Sequence, residues 1–144
     1  MPNSPFLVDT SVWILALRKD FLPVAKNRIA YLLKENAIII SGMIKLELLG
    51  GTKEEKEFQR LKIRLDALPA VETNTALWER AYDVAYGLRR KGLTVPYTDI
   101  LIAASALTAD ATIIHADSHF DSMAQHCDIK VESFVDSARQ QLKK

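Results

Sequence analysis

PFLVDTSVWI, residues 5–14, sets a carboxylate directly behind a short apolar run, follows it with two hydroxyls, and then resumes hydrophobically. Phe6 to Val8 reads as a buried strand. Val12 to Leu17 reads as a helix, with Trp13 and Leu17 four apart on one face. Asp9, at the junction, has a plain role as a helix cap. It has a chemical role only if partners for it exist elsewhere in the chain.

The strand-then-helix unit recurs. Ala37 to Ile40 and Ala111 to His115 are further apolar strands, with shorter ones at Ala70 to Glu72 and Ile129 to Val131. Val24, Ile29, Leu32 and Leu33 mark a helix, and Ser41 caps another from Met43 to Leu49 that Gly50-Gly51 stops. Phe58, Leu61, Leu65 and Leu68 step by three, four and three, which is one face of a helix. Asn74 caps a long helix to about Arg90, striped by Trp78, Tyr82 and Tyr86. After a loop from Gly92, Ile100 to Leu107 is an Ala-rich helix; Ser118 to Gln125 is a short one, and a polar helix from Phe134 closes the chain. Short apolar strands alternating with helices imply an α/β fold, a parallel sheet of four to five strands covered on both faces. In such sheets ligands bind beyond the carboxyl ends of the strands. Asp9 follows one strand directly, and Asp117 stands two residues past His115 at the same end of another.

At 144 residues the chain is expected to form a single domain over 1–144, and 49% hydrophobic with 26% charged residues excludes disorder. No apolar run approaches the roughly 20 residues of a membrane span, and MPNSPF lacks the features of a signal peptide. A cytoplasmic protein with no membrane partner is the expectation, and the lone Cys127 agrees with a reducing compartment. A net charge of +1 announces no polyanion by global field, so local patches have to carry that argument.

Asp9, Asp99 and Asp117 each lie just before a helix, where Asp is an ordinary cap. Ser118 and Asp121, three apart, could pair in a capping box of their own and leave Asp117 free. Glu47 is different: it lies inside a helix, between Met43 and Ile44 on the wheel, with Leu48 further along the arc. A carboxylate on an apolar face needs compensation. Clustered carboxylates repel, and a divalent cation removes the penalty. Mg²⁺ favours octahedral oxygen coordination, and two ions about 4 Å apart could serve an in-line phosphoryl displacement. The hydroxyls of Ser11 and Thr98 stand where they could orient waters or carboxylates around such ions.

These residues carry a resemblance. LVDTSVWI with Asp9, SGMIKLELLGG with Glu47, LTVPYTDILIAASAL with Asp99 and ATIIHADSHFDSMA with Asp117 together resemble the PIN-domain ribonucleases, most closely the small VapC-type toxins of toxin–antitoxin pairs. The resemblance implies a PIN-like α/β/α sandwich and an acidic pocket of Asp9, Glu47, Asp99 and Asp117 that holds Mg²⁺ or Mn²⁺ and cleaves RNA; Asp121 could assist from nearby or equally well pair with Ser118 in a cap. The resemblance also implies a homodimer silenced by a cognate antitoxin. One departure stands out: His115 occupies a position where the family usually has a small polar residue such as Thr.

Other signals are weaker. His115 and His119 are four apart but belong to a strand and a helix, which argues against zinc. No second Asp follows two residues after Asp9 as phosphatase chemistry would need, and no Walker loop is present. Basic residues gather at Arg18-Lys19, at Lys45, and at Arg89, Arg90 and Lys91, the last group being the candidate RNA-phosphate contact. The Trp78, Tyr82, Tyr86 stripe suits core or dimer contact better than base stacking. The rival reading is a catalytically silent PIN-like domain that binds protein or RNA, although a degenerate domain would be expected to have lost at least one of the four acids.

Overall fold

Phe6–Val8 (β1) is too apolar to face water on either side, and it lies at the centre of a five-stranded sheet. A computed structural model describes residues 4–17 and 22–142; the Arg18-Lys19 pair lies outside them. β1 leads into α1 (Thr10–Leu17) and α2 (Pro23–Lys34), then β2 (Ile38–Ser41). Next come α3 (Gly42–Gly50), α4 (Glu55–Asp66), β3 (Ala70–Val71), α5 (Thr75–Arg90) and α6 (Tyr97–Ala109). The chain finishes with β4 (Thr112–His115), α7 (Ser118–Ala124), β5 (Lys130–Ser133) and α8 (Val135–Leu142).

The strand order is β3-β2-β1-β4-β5, and every pairing is parallel. With helices flanking the sheet, the three central strands have no wet face, which is why Leu7, Val8, Ile38, Ile40, Ile113 and Ile114 are buried, while the edge strands β3 and β5 keep exposed residues. α6 contributes Ile102, Ala103 and Ala104 to the same core, the two alanines permitting close approach. The chain leaves β1 toward β2 on one side and reaches β4 on the other. The topological switch point therefore falls between β1 and β4, with Asp9 and Asp117 just beyond their ends.

Three expectations are corrected. α6 starts at Tyr97 rather than Ile100, because Pro96 stands in the N-cap position and its carbonyl accepts the Asp99 and Ile100 N–H groups at 3.1 and 3.2 Å. Asp99 is thus inside the first turn and is not a cap. Ser118 and Asp121 form no capping box; Asp117 itself caps α7, accepting the His119 N–H at 3.0 Å. Of the core and dimer-contact roles expected of the α5 aromatic stripe, the core role is excluded: Trp78, Tyr82 and Tyr86 are 43%, 58% and 64% exposed, while Leu77, Ala81 and Leu88 face inward.

Candidate active site

The four acids reach the switch point from four separate elements. Asp9 is buried at the start of α1, where its Oδ2 accepts the Ser11 N–H at 3.1 Å and the Ser11 hydroxyl at 2.5 Å. The same hydroxyl accepts the Ala116 N–H at 3.0 Å, so Ser11 ties the end of β1 to the turn after β4. Glu47 is half-buried on α3, and its Oε1 accepts the Thr10 hydroxyl at 2.9 Å. α3 is held in turn by Ser41, whose side chain accepts the Ile44 N–H. Asp117 is fixed by its capping bond.

Asp99 has no such support. It is buried, and its Oδ2 has no hydrogen-bond partner. Loss of solvation pushes its carboxyl up to about 8, and the charges of Asp117, Asp9 and Glu47 push the same way. Asp9 is also raised, first by burial, with the Ser11 bonds opposing and Asp117 adding to the rise. The charges of the other three acids thus bear on Asp99, and that of Asp117 also on Asp9.

His119 completes the pocket. Its Nδ1 lies 2.9 Å from Asp117 Oδ1 and 3.3 Å from Asp99 Oδ2. One donor atom from each of Asp99, Asp117 and His119 falls within 4.8 Å of the others. Sequence reading set His119 aside together with the zinc reading and gave Thr10 no partner. A histidine two residues past a capping Asp was the available signal for the first; nothing local points Thr10 at a glutamate 37 positions away.

A PIN domain family model matches residues 6–125. The chain belongs to the PIN-domain family. This PIN chain is 33% identical over 132 residues to the VapC ribonuclease Mb1587 of Mycobacterium bovis and to ribonuclease VapC11 of Mycobacterium tuberculosis, covering 89% of this chain and 98% of each relative. Among solved structures it resembles VapBC2 from Rickettsia felis bound to a DNA fragment from their promoter, with a TM-score of 0.74 at 23% identity over 89% of this chain and 97% of that one. DNA-bound VapBC from Salmonella typhimurium gives 0.72 at 18% identity, covering 92% and 99%. The likeness to these structures is one of fold.

Around the PIN pocket, His115 is fully buried and its Nδ1 accepts the Asp117 N–H at 3.2 Å. Its Nε2 stands 3.1 Å from Asp121 Oδ1 without hydrogen-bond alignment, and Asp121 Oδ2 accepts the Ser133 hydroxyl at 3.0 Å. Burial holds the imidazole pKa below its usual value against the pull of Asp121. Asp121 thus lies beside His115 and Ser133 and has no hydrogen bond to the four acids among the described residues. Thr98 is exposed and hydrogen-bonds to none of the carboxylates among the described residues; it borders an apolar hollow with Met43, Trp78 and Tyr82. Arg89 lines a neighbouring hollow with Thr94 and Tyr97, Arg90 lies on the Tyr86 ring, and Lys91 donates to the His126 carbonyl. Lys45 is paired with Asp66 and not with Glu47.

Proposed function

We propose that this chain is the toxin of a type II toxin–antitoxin pair, a metal-dependent endoribonuclease that cleaves RNA phosphodiester bonds, with residues 1–144 acting as one domain. The observation that carries the reading is Asp99: a buried carboxyl facing three others, with one oxygen satisfied by nothing. A fold that keeps such a group is completed by a cation. The donor set fits a hard divalent ion, and Asp9, Glu47, Asp99 and Asp117 are the residues that would hold Mg²⁺ or Mn²⁺. When bound, such an ion supplies Lewis-acid polarisation of the phosphate and a lowered pKa for the attacking water.

The chain's own groups do the positioning. Ser11 holds Asp9, Thr10 holds Glu47, and the capping bond holds Asp117, so three carboxylates are set before any ligand arrives. Asp99, whose carboxyl is raised to about 8, would have to release its proton to serve as a ligand. Arg89, Arg90 and Lys91, in and just after the last turn of α5, are the proposed phosphate contacts along the RNA. The names of the VapC ribonucleases support the activity, and those of the VapBC complexes support a cognate antitoxin as partner. The exposed α5 stripe supports a homodimer. A cytoplasmic location follows from this reading, and among the described residues no helix is long and apolar enough to cross a membrane.

Expression of wild type and Asp99→Asn in a bacterial host, with RNA cleavage assayed on the purified proteins, tests this. Wild type should arrest growth and cut RNA in the presence of Mg²⁺ or Mn²⁺. The Asn variant should fold normally, lose at least about a hundredfold in cleavage, and leave growth unaffected. If both proteins arrest growth equally and neither cuts RNA, the silent binding domain replaces the nuclease.

A further inference from the structure

We propose that His119 is an additional ligand of the cation in this pocket, and that its nitrogen makes the site prefer Mn²⁺ over Mg²⁺. The inference rests on the metal-dependent reading above and adds a donor to it.

The placement follows from the cap. Because Asp117 accepts the backbone N–H of His119, the imidazole on that residue is carried back over the capping carboxylate. Nδ1 comes to 2.9 Å from Asp117 Oδ1 and 3.3 Å from Asp99 Oδ2. Adjacent vertices of an octahedron with metal–ligand distances of about 2.1 Å lie about 3.0 Å apart. Both contacts match that spacing. Asp99 Oδ2 gains no hydrogen bond from Nδ1 at 3.3 Å, and the Asp99 side chain is only 10% exposed. A buried oxygen is thus unsatisfied at the point where the imidazole nitrogen meets two carboxylates.

His115 cannot take this part, since its Nδ1 already accepts the Asp117 N–H and its Nε2 faces Asp121. His119 is half-exposed, and Nδ1 is the ring atom turned toward the two carboxylates. The chemical consequence concerns ion choice. Mg²⁺ takes oxygen ligands and keeps its waters, whereas imidazole is a good donor to first-row transition ions. A pocket of carboxylates alone discriminates weakly between Mg²⁺ and Mn²⁺. Adding one imidazole nitrogen shifts the balance to Mn²⁺.

Binding and spectroscopy on the purified full chain test this without reference to RNA cleavage. Calorimetric titration with Mn²⁺ and with Mg²⁺, and pulsed electron paramagnetic resonance of the Mn²⁺-loaded protein, are compared for wild type, His119→Ala and His119→Asp. Wild type should show nitrogen coupling to Mn²⁺, and both variants should lose it. His119→Ala should weaken Mn²⁺ binding by about tenfold and Mg²⁺ binding by far less. His119→Asp should recover affinity with the preference moved toward Mg²⁺. Mn²⁺ bound to wild type without nitrogen coupling, or an equal loss for both ions in His119→Ala, overturns the proposal while leaving the carboxylate pocket standing. If neither ion binds wild type at all, the metal-dependent reading falls with it.

Discussion

Asp99 makes the fold sensitive to pH. Its carboxyl is raised to about 8 in the folded chain from an ordinary value of 3.8, so between those limits the folded state binds more protons than the unfolded one. Stability must then fall as pH rises through this interval, and the loss is complete only above about 8. His115 acts in the opposite sense, because its lowered pKa costs stability only as pH falls below 6.5. Asp9, also raised by burial, acts in the same sense as Asp99, so between about pH 6.5 and 8 metal-free protein should lose melting temperature on alkalinisation. Asp99→Asn should flatten that slope, as should saturating Mn²⁺ in wild type; a slope unchanged in the Asn variant would place the titrating group elsewhere. At this scale the sequence is informative wherever a neighbour fixes direction: Asp9 and Asp117 follow apolar strands, and Glu47 lies on the arc that buries Ile44 and Leu48. It is uninformative where direction depends on a turn. Asp99 reads as a cap because the apolar run begins at Ile100, and only the Pro96 carbonyl reveals that the helix has already started.

Elements are joined at the site by hydroxyls whose partners are remote in sequence. The Ser11 hydroxyl donates to Asp9 on its own turn and accepts from Ala116, 105 positions away, across the switch point. Removing it leaves a partly buried N–H without an acceptor, a loss of about 1–3 kcal/mol. Ser11→Ala should accordingly lower the melting temperature by several degrees, and should weaken Mn²⁺ binding because Asp9 loses one of its two Ser11 anchors. Calorimetry of the apo and Mn²⁺-loaded variant separates the two effects; a normal Mn²⁺ affinity would mean that the Ser11 N–H alone positions Asp9. Most elements were legible in the chain because apolar period and caps coincide. Ser41 and Asn74 both accept N–H groups three residues on, as their placement before apolar arcs implies. Ser11 is legible only as a neighbour of Asp9. Its second bond belongs to strand order, and strand order is not written in local periodicity.

At the scale of the whole molecule, alternating strands and helices already imply a parallel sheet, and the rule that ligands bind beyond strand ends already points to Asp9 and Asp117. What the alternation does not fix is which helix faces remain uncovered once the sheet is closed. α5 presents Trp78, Tyr82 and Tyr86 to solvent, and Trp78 and Tyr82 with the 83% exposed Tyr97 line a hollow of about 450 Å³ together with Met43, Ala81 and Leu101. The Trp78 and Tyr82 rings, 6.4 Å apart, form an amphipathic anchor of the kind enriched at protein interfaces. A contiguous apolar face of this sort favours association over solvation, and a second copy of the chain presents an identical one, as a two-fold interface requires. Sedimentation of wild type should show a dimer at micromolar concentration. Tyr82→Glu places two like charges near that axis without touching the core, so it should give a monomer whose own stability changes by no more than about 0.5 kcal/mol. A Tyr82→Glu protein that stays dimeric would move the seam to another face, and a wild type that sediments as a monomer would leave the aromatic face to the proposed antitoxin.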